Sequence, residues 1–338
     1  NYRPGNLAIN GGTRPFISYD RQTWTPLPDF AVEWDKAVPL LRIHVTPARS
    51  PVWIAHVPPY TMQNLASLLA DLKHNPDIAV DEIGKSAGGR NLLMLTVTSH
   101  TRPARDEKVL WLMAREHAWE SGTSWVMDGA VRFLAKDDPA AARLRDSFIF
   151  KVFPMADPDG VARGGVRFNL NGYDVNRNWD VADPKLMPET ASFRKAVLDW
   201  TDSGHSIDLF VNLHNDNNDY IEGPLSAAGP DYRQTVDRFA TMLTKETFFA
   251  LKTRDWPPGE LAHGRMDTCQ DLFHERKIPT LLLEQSVQKN TRLGRLLDAA
   301  DYRRFGERLV TAMAAAVGGS AGENLLPNAG FAPGANAM

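Results

Sequence analysis

Two side chains three residues apart can do chemistry together. His117 and Glu120 fall in Arg115-Glu116-His117-Ala118-Trp119-Glu120-Ser121-Gly122. An imidazole and a carboxylate at this separation can turn toward one point. They would supply two of the three protein ligands of a catalytic zinc, with the fourth position left for water. The apolar run Val109–Ala114 before them reads as a buried strand, and Thr123 to Leu134 after them as a helix. His117 and Glu120 therefore belong at the carboxyl edge of an α/β sheet, where ligands bind in such folds. An H-x-x-E pair also arises by chance in a chain of this size, so its partners must be found elsewhere.

Two more polar residues follow buried-looking strands. His214 comes after Ile207–Leu213, and Glu284 after Pro279–Leu283. If these strands share one sheet and one direction with Val109–Ala114, their ends converge. His214 then completes a shell of two imidazoles and one carboxylate. Glu284 is left over near the metal water, as general base and then proton donor to a leaving amine. A structural salt bridge is the rival reading of Glu284, because a lone buried carboxylate is costly.

A Gly- and Asn-rich segment from Pro154 to Asp180 is too long for an ordinary connection, which marks it as functional or disordered. It holds Asp174-Val175-Asn176-Arg177-Asn178-Trp179. Arg177 with Asn176 suits a carboxylate, which a guanidinium grips in a bidentate fork. Arg167 is placed to face an oxygen that becomes negative during attack, with a solvated loop arginine as the bland alternative. Asp174 suits the second N–H of His117, fixing its tautomer.

The elements that must position these groups alternate. Residues 1–57 carry short β-prone stretches punctuated by Pro, Asp and Gly, a small antiparallel β module resembling a sandwich. Thr61 caps a helix to about Lys73. Strands are expected near 78–83, 91–98, 109–114, 148–153, 207–213 and 279–283. Helices are expected near 123–134, 139–146, 190–201, 230–249, 261–277 and 299–317. Apolar strands separated by helices indicate an α/β fold, a mixed, mostly parallel sheet covered on both faces. Residues 58–317 form the expected catalytic domain, and the Gly/Ala/Asn/Pro-rich stretch 318–338 a flexible tail. The acidic stretch Asp216, Asp219, Glu222 reads as a solvated turn, with a subsite for a cationic or hydroxyl-rich substrate as the alternative.

The bulk numbers narrow the class. The chain has 338 residues, 43% hydrophobic and 23% charged, with a formal net charge of −3. This is a globular composition without the basic excess of a nucleic-acid binder. No apolar run reaches the roughly 18 residues that span a bilayer. Cys269, the single cysteine, excludes an intrachain disulfide and reads as a small buried hydrophobe. A start at Asn1 without Met favours a secreted or periplasmic setting over the cytoplasm. Nothing in the sequence fixes an oligomeric state.

The order H-x-x-E, Pro-Asp-Gly, D-x-N-R-N-W, strand-ending His, strand-ending Glu resembles the zinc metallocarboxypeptidases (funnelins) over residues 58 to 317. Arg167-Phe168-Asn169-Leu170-Asn171-Gly172-Tyr173-Asp174, with Ser18-Tyr19-Asp20, Thr23-Trp24 and Pro58-Pro59-Tyr60-Thr61, is similar to the cytosolic-carboxypeptidase-like subgroup. The resemblance implies one zinc on His117, Glu120 and His214. It implies Glu284 as base and acid, Arg167 as oxyanion stabiliser, Asn176 and Arg177 as carboxylate anchors, and Asp174 as the partner of His117. It also implies an eight-stranded mixed sheet with an N-terminal β domain, acting on a peptide with a free carboxylate.

The chain departs from that pattern in places. Trp119 stands where digestive members carry an arginine. No tyrosine lies between Tyr232 and Glu284, so the family's mobile tyrosine is missing or replaced, with His263 and Arg265 as candidates. The position that sets side-chain choice falls near Met266 to Cys269, with no pocket charge expected from it, which disfavours a dedicated acidic-side-chain pocket. A zinc amidase of the same fold, acting on N-acyl amino acids or peptidoglycan stem peptides, is the alternative.

Overall fold

After its first residue, strand Lys108–Ala114 is buried at every position. Alternate residues of a strand face opposite ways, so this one must be covered on both sides. The structure, a computed structural model, describes residues 9–101, 108–250, 252–256 and 262–323.

The described residues before Met62 hold five short strands, β1 (Phe16–Ser18), β2 (Thr25–Pro26), β3 (Val32–Asp35), β4 (Leu40–Ile43) and β5 (Trp53–Ala55). β1 pairs antiparallel with β2 and β5, and β3 with β4, giving two small sheets. Then come α1 (Met62–Leu72), β6 (Ile78–Lys85), β7 (Asn91–Val97), β8 (Lys108–Ala114), α2 (Ser121–Leu134), α3 (Pro139–Ser147) and β9 (Phe148–Phe153). The second half holds α4 (Pro158–Arg163), α5 (Pro188–Asp202), β10 (Leu209–Asp216), β11 (Tyr220–Gly223), α6 (Gly229–Glu246), β12 (Thr253–Asp255), α7 (Thr268–Arg276), β13 (Thr280–Ser286) and α8 (Ala299–Glu323).

Strands β6 to β13 form one mixed eight-stranded sheet, in the order β12-β11-β13-β10-β8-β9-β7-β6. Its centre, β13-β10-β8-β9, is parallel throughout. Leu110, Leu112 and Ala114 of β8 pack with residues of α2 and α8, such as Met127, Val131, Leu309 and Met313. Val109, Trp111 and Met113 pack with Phe193 and Val197 of α5 and Leu272 of α7 on the other face. Helices α2 and α8 cross with their backbones touching. A Cβ on Gly129 would lie 2.1 Å from Arg303 O, and one on Gly306 1.8 Å from Val126 O. Buried Asp128 ties the crossing, accepting from Arg132 Nε (2.9 Å), Arg303 Nε (2.7 Å) and Tyr60 OH (3.1 Å).

Several boundaries differ from those expected. His214 and Glu284 lie inside β10 and β13, which run on to Asp216 and Ser286. The expected helix over 261–277 is only α7, begun by a capping box in which Asp267 accepts from Gln270 N. The long segment after β9 contains α4. α8 continues to Glu323, so the tail expected from 318 starts as helix; residues 324–338 lie outside the described residues. The acidic stretch after His214 is not a solvated turn. It is the end of β10, a reversal, and β11, because the buried Asp219 carboxylate accepts the N–H groups of Ser286 (2.7 Å) and Ala250 (3.1 Å). Among the described residues no helix is long and apolar enough to cross a membrane.

Candidate functional site

β8 ends at Ala114 and the chain turns sharply at Arg115, whose φ of 67° is left-handed. A non-glycine residue there costs about 1 kcal/mol. The buried guanidinium holds it in place, donating from Nε to Ala118 O (2.9 Å) and from Nη1 to Tyr60 O (3.1 Å) and Ser124 Oγ (3.0 Å). Glu120 N donates to His117 O (3.1 Å), closing a turn that aims both side chains at one point. Glu120 occupies the N-cap of α2, yet its side chain makes no cap bond and reaches instead to the imidazoles.

The other two residues arrive by strand register. β10 is parallel to both neighbours, with Leu213 opposite Ala114 and His214 opposite Glu284. The carboxyl ends therefore converge. His117 Nδ1 lies 2.6 Å from Glu120 Oε1, and His214 Nδ1 lies 2.9 Å from Glu120 Oε2. The ligand atoms of His117, Glu120 and His214 all fall within 4.8 Å of one another, and all three residues are buried. Glu284 is half-buried beside them, and its Oε2 is sealed from solvent with no hydrogen-bond partner among the described residues.

Each imidazole is fixed from behind. His117 Nε2 meets Asp174 Oδ1 at 3.0 Å. His214 Nε2 meets Glu116 Oε2 at 3.0 Å. Glu116 is fully buried and also accepts from Asn212 Nδ2 (2.6 Å) and Thr268 Oγ1 (2.5 Å). Sequence reasoning missed it, although it immediately precedes the first histidine. Asn176 is buried as well: its Oδ1 accepts from Thr268 N (3.0 Å), and its Nδ2 lies 3.2 Å from His214 Nε2. Arg167 donates from Nε to Asp174 Oδ2 (2.5 Å), and its Nη1 lies 3.4 Å from His117 Nδ1, so it faces the cluster. Arg177 is exposed, and its Nη1 donates to Asn176 O (2.6 Å).

The electrostatics follow from this crowding. Burial would raise the Glu120 carboxyl, but the imidazoles of His117 and His214 hold it far below its usual range. Burial would lower both imidazoles, yet Glu120 and their outer carboxylates raise them. The cluster thus favours positive charge at its centre. Glu284 moves the other way: burial, with Glu120 and Asp216 nearby, pushes it well above the usual carboxylate range.

This donor set fits a zinc ion. Two imidazole nitrogens and a carboxylate are a catalytic zinc shell. Both outer nitrogens are pinned by carboxylates, the arrangement that orients metal-bound histidines.

A cavity of about 830 Å³ opens over the cluster, lined by all three residues together with Glu284, Arg167, Asn176 and Arg177. Neither His263 nor Arg265 lines it; the His263 side chain is 84% exposed and meets Asp180 Oδ2 at 3.0 Å. A tyrosine does reach the cavity, from another strand. Tyr220 on β11 pairs with Glu284, and Arg254 of β12 lies 3.7 Å over its ring. Asp267, pushed up to about 6 by burial, also lines the wall, so the expectation of no charge from residues 266 to 269 fails. Cys269 is buried and free, as expected.

The zinc carboxypeptidase family profile matches residues 65–237. Cytosolic carboxypeptidase 1 of Gallus gallus is 36% identical over 161 residues, covering 44% of this chain and 13% of that protein. Cytosolic carboxypeptidase 6 of Homo sapiens is 32% identical over 165 residues, covering 47% of this chain and 33% of that protein. The chain thus spans a third or less of the length of these two relatives. A metallo-carboxypeptidase from Burkholderia cenocepacia superposes with a TM-score of 0.81 at 24% identity, over 92% of this chain and 82% of that one. A metallo-carboxypeptidase from Pseudomonas aeruginosa, solved with (2-guanidinoethylmercapto)succinic acid, gives 0.75 at 24% identity over 92% and 81%. At that identity the superpositions speak for the fold, which this chain shares. Because the profile spans half of its residues and takes in both histidines of the cluster, the chain belongs to the zinc carboxypeptidase family of metallopeptidases.

Proposed function

We propose that the chain hydrolyses the last peptide bond of a polypeptide bearing a free carboxylate, with His117, Glu120 and His214 holding the zinc. The observation that carries this is Glu284: a carboxylate with an unpartnered, sealed oxygen, in register with a ligand histidine. A zinc ion held by the three residues would supply Lewis acidity to the scissile carbonyl and acidify a water.

The chain's own groups account for the rest. Glu284 takes a proton as water oxygen adds to the carbonyl carbon. It then passes that proton to the amine nitrogen as the C–N bond breaks. Arg167 faces the cluster and offers N–H groups to the carbonyl oxygen as it becomes negative. Arg177, exposed at the cavity wall, receives the terminal carboxylate, which limits cleavage to the last bond. Asn176 braces that anchor, since its backbone carbonyl holds Arg177 and its side chain is bound to Thr268. The charged wall of Glu222, Arg254 and Asp267 favours a polar or charged released side chain.

Mass spectrometry on matched peptides tests this reading. A free-acid peptide should lose its last residue and its C-terminal amide should persist. Glu284→Gln should lower turnover at least about 100-fold and keep zinc. Internal cleavage, or full turnover by Glu284→Gln, contradicts it. Hydrolysis of N-acyl amino acids alone would assign the amidase activity instead.

A further inference from the structure

The cavity walls differ in chemistry. Arg254 of β12 brings charge to the wall, as do Arg177 and Asp267. Around the loop after β8, His56, Trp119 and Val166 form an apolar and aromatic patch, with Arg167 next in sequence also on the wall, and Ile9 lines the cavity too. The His56 and Trp119 rings stack, with centroids 5.5 Å apart and planes at 22°. Trp119 also packs with Val57 and Val287, and its backbone N–H donates to Val166 O at 3.0 Å. The neighbour of Ile9 is tied to the loop after β10: Asn10 Nδ2 donates to Asn217 Oδ1 (3.0 Å), which also accepts from Gln288 Nε2 (2.8 Å). Ile9 and His56 both precede α1. The front end of the chain therefore completes a cavity whose reactive residues all come from the large sheet and its loops.

We infer that His56 and Trp119, flanked by Ile9 and Val166, bind the side chain just upstream of the scissile bond and select a bulky apolar or aromatic residue. This rests on the carboxypeptidase reading, which fixes the direction of the substrate. With the terminal carboxylate on Arg177, the released residue lies on the charged side. The chain then passes Glu284 and the cluster and leaves across Trp119, one residue before Glu120. A stacked, half-buried ring pair held from behind gives a planar side chain a rigid surface at little entropic cost. Burying a phenylalanine on such a wall is worth about tenfold or more in affinity.

Two peptides that differ only upstream, acyl-Phe and acyl-Gly with the same released residue, test the inference. kcat and KM are measured for wild type, His56→Ala, Trp119→Leu and Trp119→Phe. Binding of both peptides to zinc-loaded Glu284→Gln, alone and combined with each wall substitution, is measured by calorimetry. Wild type should prefer the Phe peptide by about tenfold, through KM. His56→Ala and Trp119→Leu should bring the Phe/Gly ratio below about threefold, while Trp119→Phe restores most of it. A wild-type ratio near one, or a ratio untouched by both truncations, overturns the inference. If wild type turns over neither peptide, the carboxypeptidase reading falls. The calorimetric ratio then still decides whether the wall binds apolar residues.

Discussion

At the scale of single residues, the site is two imidazoles each held by an outer carboxylate. Glu116 does for His214 what Asp174 does for His117. Glu116→Gln should therefore weaken zinc binding about 10- to 100-fold in a competition with a chromogenic chelator, and unchanged affinity would show that its bonds to Asn212 and Thr268 are its whole role. That His117, Glu120, His214 and Glu284 gather at one edge was legible because the apolar runs ending at Ala114, Leu213 and Leu283 read as strands. Glu116 was not, since its partner lies 98 residues away and only the β8–β10 register brings them together. Another buried acid makes a separate prediction. Asp157 is pushed up to about 6 by burial, and its Oδ2 has no hydrogen-bond partner among the described residues. A folded pKa raised above the ordinary 3.8 of an aspartate contributes stability below that value, which is lost as pH rises through about 6. Asp157→Asn keeps an acceptor for Gly160 N and removes the charge, so it should gain roughly 2–3 kcal/mol over wild type at pH 8 relative to pH 4. A denaturant-midpoint difference that does not change with pH would contradict this.

At the scale of elements, the parallel centre of the sheet and the α2–α8 crossing carry the site. The crossing positions α2, whose first turn begins at Glu120. Gly306→Ala would drive a methyl group into Val126 O, so α8 must shift, at about 3 kcal/mol or more. A thermal melt within a degree of wild type would mean the crossing is looser than its backbone contacts show. The existence of these helices was legible from their apolar period, but the crossing was not, because a glycine within a helical pattern gives no sign of what approaches it. Strand ends were misjudged for a related reason. His214, Glu284 and the residues after them are polar, and polarity reads as the end of a strand, whereas here β10 and β13 stay paired to Asp216 and Ser286 because the ladder continues beneath the site. β12 is exposed throughout, and β11 was hidden in an acidic stretch, so neither showed the apolar run of a core strand.

At the scale of the whole molecule, the mixed sheet gathers residues from segments that span positions 117 to 284, and two residues before α1, Ile9 and His56, join the cavity lining. The α/β class followed from alternating apolar strands and helices. How the front end meets the cavity did not, since Ile9 and His56 carry no mark in a sequence. Everything depends on three side chains closing on one divalent cation. Zinc content after equilibration with zinc and gel filtration measures this directly, in wild type and in His214→Ala. One zinc per chain in wild type and loss of most of it in His214→Ala is the result expected. A full complement retained by His214→Ala, or none in wild type, would contradict the account.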